Sequence, residues 1–229
     1  MSVNAKAMVL DFGGVITRTL FETHDLTEAA LGLPSGTLTW RGPFAPTQDE
    51  LWRAMQAGEI SERDYWLTRT RETGLLIGED WTTMEQFVIA ARGAEPMKII
   101  RPEALDAIAK ARASGCRLAI LSNELDLFYG SDFRHKLPFL EQFDLIVDAT
   151  YTEILKPDPR AYAFVTEGLG VAAEHCIFVD DQMKNIRGAE AAGMQPVHFD
   201  VRKPAESYSR ALRLLGIANF DTEARNDAA

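Results

Sequence analysis

Five apolar runs too short to be helices recur along the chain: Ala7–Leu10, Arg117–Leu121, Leu145–Val147, Cys176–Val179 and Gln195–Phe199. Segments with helical signals alternate with the later runs. Pro102–Ser114 stops at Gly115, and a helix opened by Asp158-Pro159 runs to about Gly168. Gln182–Ala192 stops at Gly193 and Pro204–Leu215 at Gly216, glycine being the residue that most easily ends a helix. Strand-helix-strand alternation predicts an α/β fold, a Rossmann-like parallel sheet with helices on both faces. The first run is the most pointed of the five. Met8-Val9-Leu10 leads straight into Asp11, and Gly13-Gly14 follow at once, so a buried strand delivers a carboxylate to the sheet edge beside a tight turn.

Residues from about 17 to 95 break the alternation and hold no convincing strand. Four helical segments fit there: Asp25–Leu31, Gln48–Ala57, Glu62–Thr73 and Asp80–Arg92. Thr47-Gln48-Asp49-Glu50 reads as a capping box for the second. Trp52, Met55, Tyr65, Trp66, Trp81, Met84, Phe87 and Val88 supply apolar surface for a small bundle. The expected organisation is therefore an α/β core over 1–16 and 96–218, an inserted helical unit over 17–95, and a polar tail over 219–229.

A net charge of −10 argues against a nucleic-acid partner, which would require a basic face. It also means that an anionic substrate must be held by local positive charge. No apolar run approaches the roughly 20 residues that cross a bilayer, and Met1–Lys6 lacks the pattern of a secretory leader, so neither a membrane nor a secreted location is expected. Cys116 and Cys176 each open an apolar run and read as buried thiols of a reducing, cytoplasmic compartment. Nothing in the pattern sets the oligomeric state.

Four strand ends carry polar groups: Asp11, then Ser122-Asn123, then Lys156-Pro157 after a short connection, then Asp180-Asp181. In a parallel sheet these ends share one edge, where ligands of open α/β proteins bind. A carboxylate nucleophile attacking phosphorus would split one hard step into two. Two anions repel, so the approach needs a cation, and Asp11 with Asp181 could hold Mg²⁺. Ser122 and Asn123 could donate to phosphoryl oxygens, and Lys156 could offset the charge gathering on them.

Those motifs, Asp11-Phe12-Gly13-Gly14-Val15, Ser122-Asn123, Lys156-Pro157-Asp158-Pro159 and Val179-Asp180-Asp181-Gln182-Met183-Lys184-Asn185, resemble in type and order those of the haloacid dehalogenase-like (HAD) hydrolase superfamily. The resemblance spans essentially the whole chain, with 17–95 matching the family's helical cap. Its nearest look is to sugar-1-phosphate phosphatases and the phosphatase domain of soluble epoxide hydrolases, helped by Leu51–Ala54 and Gly58–Ser61. It implies Asp11 as nucleophile and Mg²⁺ held by Asp11, Asp181 and the Gly13 carbonyl, with Asp180 and Asn185 behind them. The implied activity is a phosphoric monoester hydrolase that works on a small phosphorylated metabolite through an aspartyl-phosphate.

One position departs from that pattern. Most such phosphatases have an aspartate as general acid where this chain has Gly13, and a proton transfer of that kind contributes roughly 10²–10⁴-fold. Three readings follow: a phosphatase for leaving groups that need little protonation, a metal-independent 2-haloacid dehalogenase, or a weakly active protein that binds phosphorylated ligands. Glu124, after Ser122-Asn123, either faces the phosphate or lies in a helix's first turn, and the second reading is preferred. Arg18, Arg41 and Arg134 could grip a second anionic group but read better as solvated side chains. His24, His135, His175 and His198 show no ligand spacing, although His24 and His135 could border the pocket.

Overall fold

A computed structural model of the chain describes residues 6–92, 96–123, 125–129 and 131–217. Glu124 and the tail over 219–229 lie outside them. Five strands, β1 (Ala7–Leu10), β2 (Arg117–Ser122), β3 (Leu145–Asp148), β4 (Cys176–Asp180) and β5 (Gln195–His198), form one parallel sheet in the order β3-β2-β1-β4-β5. β1 is central, with Leu10 paired to Ile120 on one side and Val179 on the other. That register sets Asp11 level with Leu121, one residue before the end of β2, and with Asp180 at the end of β4.

Helices are α1 (His24–Ala30), α2 (Glu50–Ala57), α3 (Glu62–Leu76), α4 (Met84–Arg92), α5 (Pro102–Ala113), α6 (Leu125–Tyr129), α7 (Ala149–Thr152), α8 (Pro159–Leu169), α9 (Met183–Ala191) and α10 (Pro204–Leu215). Both faces of the sheet are covered, which is why its strands read as unbroken apolar runs. Met8, Leu10, Leu118, Ile120, Ile177 and Val179 face α5 and α10, where Ala104, Ile108, Tyr208 and Leu212 are buried. Ala7, Val9, Ala119, Leu121 and Phe178 face α8 and α9, meeting Ala161, Tyr162, Val165 and Ala189.

A third apolar cluster is built wholly from residues between 20 and 91. Tyr65, Trp81 and Phe87 are buried in it, while Trp52, Met55, Trp66 and Met84 are half-buried against it. Leu20, Phe21, Leu38 and Trp40 join them from ahead of α2, and Phe21 stands 5.2 to 5.5 Å, centroid to centroid, from the rings of Trp40, Trp52 and Trp66. Inside this cluster Asp49 is buried and takes bonds from the Tyr65 hydroxyl (3.0 Å) and the Arg69 guanidinium (2.6 Å).

The start of α2 corrects the expected capping box at Thr47–Glu50. Pro46–Gln48 makes a short tight turn, and Asp49 itself caps the helix by accepting from the Trp52 amide at 2.9 Å. Reciprocal boxes occur instead at Thr19/Glu22 and Ser61/Asp64. The latter fixes the start of α3.

The chain leaves the sheet after β1 and returns before α5 through two segments that pair with each other. Thr17 and Ile100 form an antiparallel bridge, the Arg18 amide donates to Ile99 O (2.7 Å), and the Arg101 amide donates to Ile16 O (3.0 Å). No helix among the described residues is long and apolar enough to cross a membrane.

Candidate active site

Asp11 leaves β1 with its amide still bonded to Val179 O (2.9 Å), and the backbone then makes one wide turn over Phe12–Ile16. Gly14 adopts φ 79°, a left-handed conformation that favours glycine. A Cβ there would sit 2.7 Å from Oδ2 of Asp181, so the glycine also makes room for that carboxylate. The turn is locked from behind. Buried Arg101 donates through Nε and Nη2 to the Gly14 carbonyl (3.1 and 3.0 Å) and forks onto both oxygens of Glu22 at 2.7 and 2.6 Å. Replacing Gly14 by alanine should therefore cost roughly 1–2 kcal/mol from the backbone alone. It should also displace Asp181. Denaturant unfolding read beside Mg²⁺ titration checks both.

Lys156 is the hub of the site. Its Nζ lies 2.8 Å from Asp11 Oδ1 and 2.7 Å from Asp180 Oδ2, and the side chain is almost wholly buried. Asn123 holds the lysine from the neighbouring strand end. Its Oδ1 accepts from the Lys156 amide (2.7 Å) and its Nδ2 donates to the Lys156 carbonyl (3.2 Å). Asn123 was expected to serve phosphoryl oxygens; its amide also braces the backbone of Lys156 through these two bonds. Ser122, the last residue of β2, is buried beside β1.

Asp180 is fully engaged. Asn185 Nδ2 lies 3.1 Å from each of its oxygens, and the Gln182 amide donates to Oδ1 at 2.8 Å. Asp181 differs: among the described residues no hydrogen bond reaches its carboxylate, and its backbone carbonyl lies 3.1 Å from His198 Nε2. Ligand atoms of Asp11, Asp180 and Asp181 lie within 4.8 Å of one another.

Three crowded carboxylates share one ammonium, and the proton affinities of Asp11, Asp181 and Lys156 respond. Burial pushes the Asp11 carboxyl up, Lys156 pulls it down and Asp180 pushes it up again, leaving it at about 6. Burial, then the charges of Asp180, Asp11 and Glu62, hold Asp181 well above the ordinary aspartate value. Burial would lower Lys156, but the two aspartates outweigh it and keep the ammonium charged. This donor set fits a hard divalent cation. It offers converging oxygens, surplus negative charge and one carboxylate left without a donor.

The remaining candidates lie elsewhere or are committed to other partners. Arg134 pairs with Asp126 (2.6 Å) and Asp148 (2.8 Å), Arg41 meets His24 Nδ1 at 3.2 Å, and Arg18 donates to the Lys98 carbonyl. His24 is buried, and burial and then Arg41 push its imidazole down to about 4. His135 is exposed. Gly13 is extended and exposed, and a Cβ on it would meet nothing within 4 Å. Sequence reasoning passed over Gly14's contact with Asp181, Arg101 and Glu62. Only the Gly13-Gly14 pair gave a signal for any of them.

A model of the haloacid dehalogenase-like hydrolases matches residues 5–193. The chain belongs to that family. It is an enzyme of the hydrolase class, and its sheet and flanking helices are the family's fold. The HAD-hydrolase YfnB of Bacillus subtilis, solved with magnesium bound, superposes with a TM-score of 0.62 at 18% identity, covering 93% of this chain and all of that one. Among curated proteins, the sesquiterpene phosphatase astK of Aspergillus oryzae is 25% identical over 87% of this chain and 92% of its own. Acyl-CoA dehydrogenase family member 10 of Mus musculus is 27% identical over 92% of this chain. This chain spans 19% of that mouse protein and 40 to 46% of two other curated relatives, both phosphatases. Haloacid dehalogenases are also among the proteins it resembles.

Proposed function

We propose that this hydrolase is a Mg²⁺-dependent phosphatase that cleaves small phosphoric monoesters through a phosphoryl group carried on Asp11. The observation that carries the reading is Lys156 between Asp11 and Asp180, with Asp181 completing a ring of carboxylates. A dehalogenase needs one attacking carboxylate and no cation, whereas a dianionic ester approaching three aspartates requires one. Mg²⁺ on Asp11, Asp181 and the Gly13 carbonyl would neutralise ester and carboxylate oxygens alike.

The chain's own groups do the rest. An Asp11 oxygen attacks phosphorus, the phosphorus–ester oxygen bond breaks, and the alcohol departs with that bond's electron pair and takes up a proton. Lys156 stabilises the charge spread over the phosphoryl oxygens. Ser122 and the amide N–H of Asn123 not given to Lys156 would donate to them. Water then attacks the same phosphorus, releases inorganic phosphate and restores Asp11. Asp180 and Asn185 keep Lys156 in place throughout.

Because Gly13 puts no acid beside Asp11, the favoured substrates are esters whose alcohol leaves without much protonation, such as anomeric sugar phosphates, or acyl phosphates. The substrate is a small molecule rather than nucleic acid, and the two buried free thiols suit a cytoplasmic setting. A series of aryl phosphates tests this. Phosphate release should vanish with chelator, return with Mg²⁺, and fall steeply as the leaving group's pKa rises. The vacancy at Gly13 also supports a second reading, hydrolysis of 2-haloacids, since halide leaves without a proton. Halide release indifferent to chelator, with no phosphate release, would replace the first reading by the second.

A further inference from the structure

We infer that Glu62 is the clasp that draws the helical segment over Asp11 and onto the loop that carries Asp180 and Asp181. Glu62 is the first residue of α3, placed by the Ser61/Asp64 box. Its Oε2 lies 3.0 Å from Lys184 Nζ, and its Oε1 accepts from Gln182 Nε2 at 3.4 Å. Both donors directly follow the site: the Gln182 amide already caps Asp180, and Lys184 lies in the first turn of α9.

Sheet order gives this contact its meaning. β1 lies between β2 and β4. The helical segment rises from the end of β1 and rests on the β2 side, where α4 packs against α6 and the buried guanidinium of Arg92 reaches Tyr129. Glu62 touches down on the β4 side. The segment therefore arches over the sheet edge above Asp11, with one foot packed and one polar. The side chains of Glu62 and Lys184 are 36% and 50% exposed, so water can replace their contact, whereas opening the α4–α6 foot would strip buried groups. The segment opens on the β4 side, pivoting near Thr17 and Ile100, and Glu62 is the group that lets go. Glu62 is a positioning residue, since it touches neither Asp11 nor Lys156.

The assignment rests on the reading of this edge as the active site, but its test does not depend on turnover. Hydrogen exchange read by mass spectrometry compares wild type with Glu62→Gln, Lys184→Met, the double variant and the charge-swapped pair Glu62→Lys/Lys184→Glu. Each single variant should speed exchange in the first turn of α3 and across Asp180–Lys184 by roughly two- to fivefold, the worth of a part-exposed ion pair. The double variant should add nothing further. The swapped pair should restore protection, and α4 and α6 should not change in any of them. Unchanged exchange in both single variants, loosening that spreads equally to α4 and α6, or no recovery in the swapped pair would each overturn the clasp. If phosphatase activity proves absent while these shifts appear, the clasp stands and the functional reading falls.

Discussion

Asp11→Asn should lower phosphate release by at least ~10⁴-fold, as loss of a catalytic nucleophile does elsewhere. Its fold should survive. An amide fits where the carboxylate was, and Lys156 keeps Asp180 as partner at 2.7 Å. The stability of the cation-free protein should move the other way, and the sign follows from linkage. Burial holds the folded Asp11 carboxyl at about 6, above the ordinary aspartate range, so the folded state binds that proton more tightly than the unfolded one. The stabilising contribution is complete below pH ~4 and is lost as pH rises through about 6. In chelator, wild type should therefore weaken over that window and Asp11→Asn should weaken less. At pH 7.5 the inactive variant should be the more stable of the two. Thermal melts from pH 4 to pH 8 beside phosphate-release assays check both halves, and a variant that is inactive because it is unfolded would refute the argument.

Lys156→Met carries the second large effect, this time on the fold itself. Removing the ammonium leaves Asp11 and Asp180 buried against each other with no opposing charge. Breaking a buried pair in this way costs roughly 3–5 kcal/mol. In a chain of this size that lowers the melting temperature by about 6–20 °C. The loss should shrink toward pH 5, where Asp11, already raised by burial, can take up a proton, and Mg²⁺ should recover part of it by restoring positive charge. Activity should be lost at every pH. An equal loss at pH 5 and pH 8 would mean that lost packing dominates, not bare charge.

How much of this was legible beforehand depended on where the information lies. Asp11, Lys156, Asp180 and Asp181 could be placed because each follows an apolar run, and a parallel sheet brings such ends to one edge. The same logic gave five strands in about their observed bounds. It failed where geometry depends on the backbone's own partners. The two bonds between the Asn123 amide and the backbone of Lys156, 33 residues away, leave no mark in the residues around either. The cap of α2 was misplaced because Thr47 and Asp49 are both capping residues, and only the buried demands of Tyr65 and Arg69 choose Asp49. Single-turn pieces such as α6 and α7 are too short to show a helical period. The contact between Glu62 and Lys184 crosses 122 positions and leaves no trace in either local pattern.

Arg101 has a last consequence, for how such a molecule can be rebuilt. One guanidinium ties the peptide carrying Gly14 to Glu22, on the far side of the outgoing crossing. The aim of the nucleophile's turn and the tilt of the helical segment thus share a single fastening. A chimera that swaps in another helical segment between Thr23 and Arg92 can keep its chemistry, provided that the seam of Thr17–Glu22 and Ile99–Arg101 travels with the sheet. A splice inside that seam would leave the turn around Asp11 adrift even if every residue named in the reaction were still present.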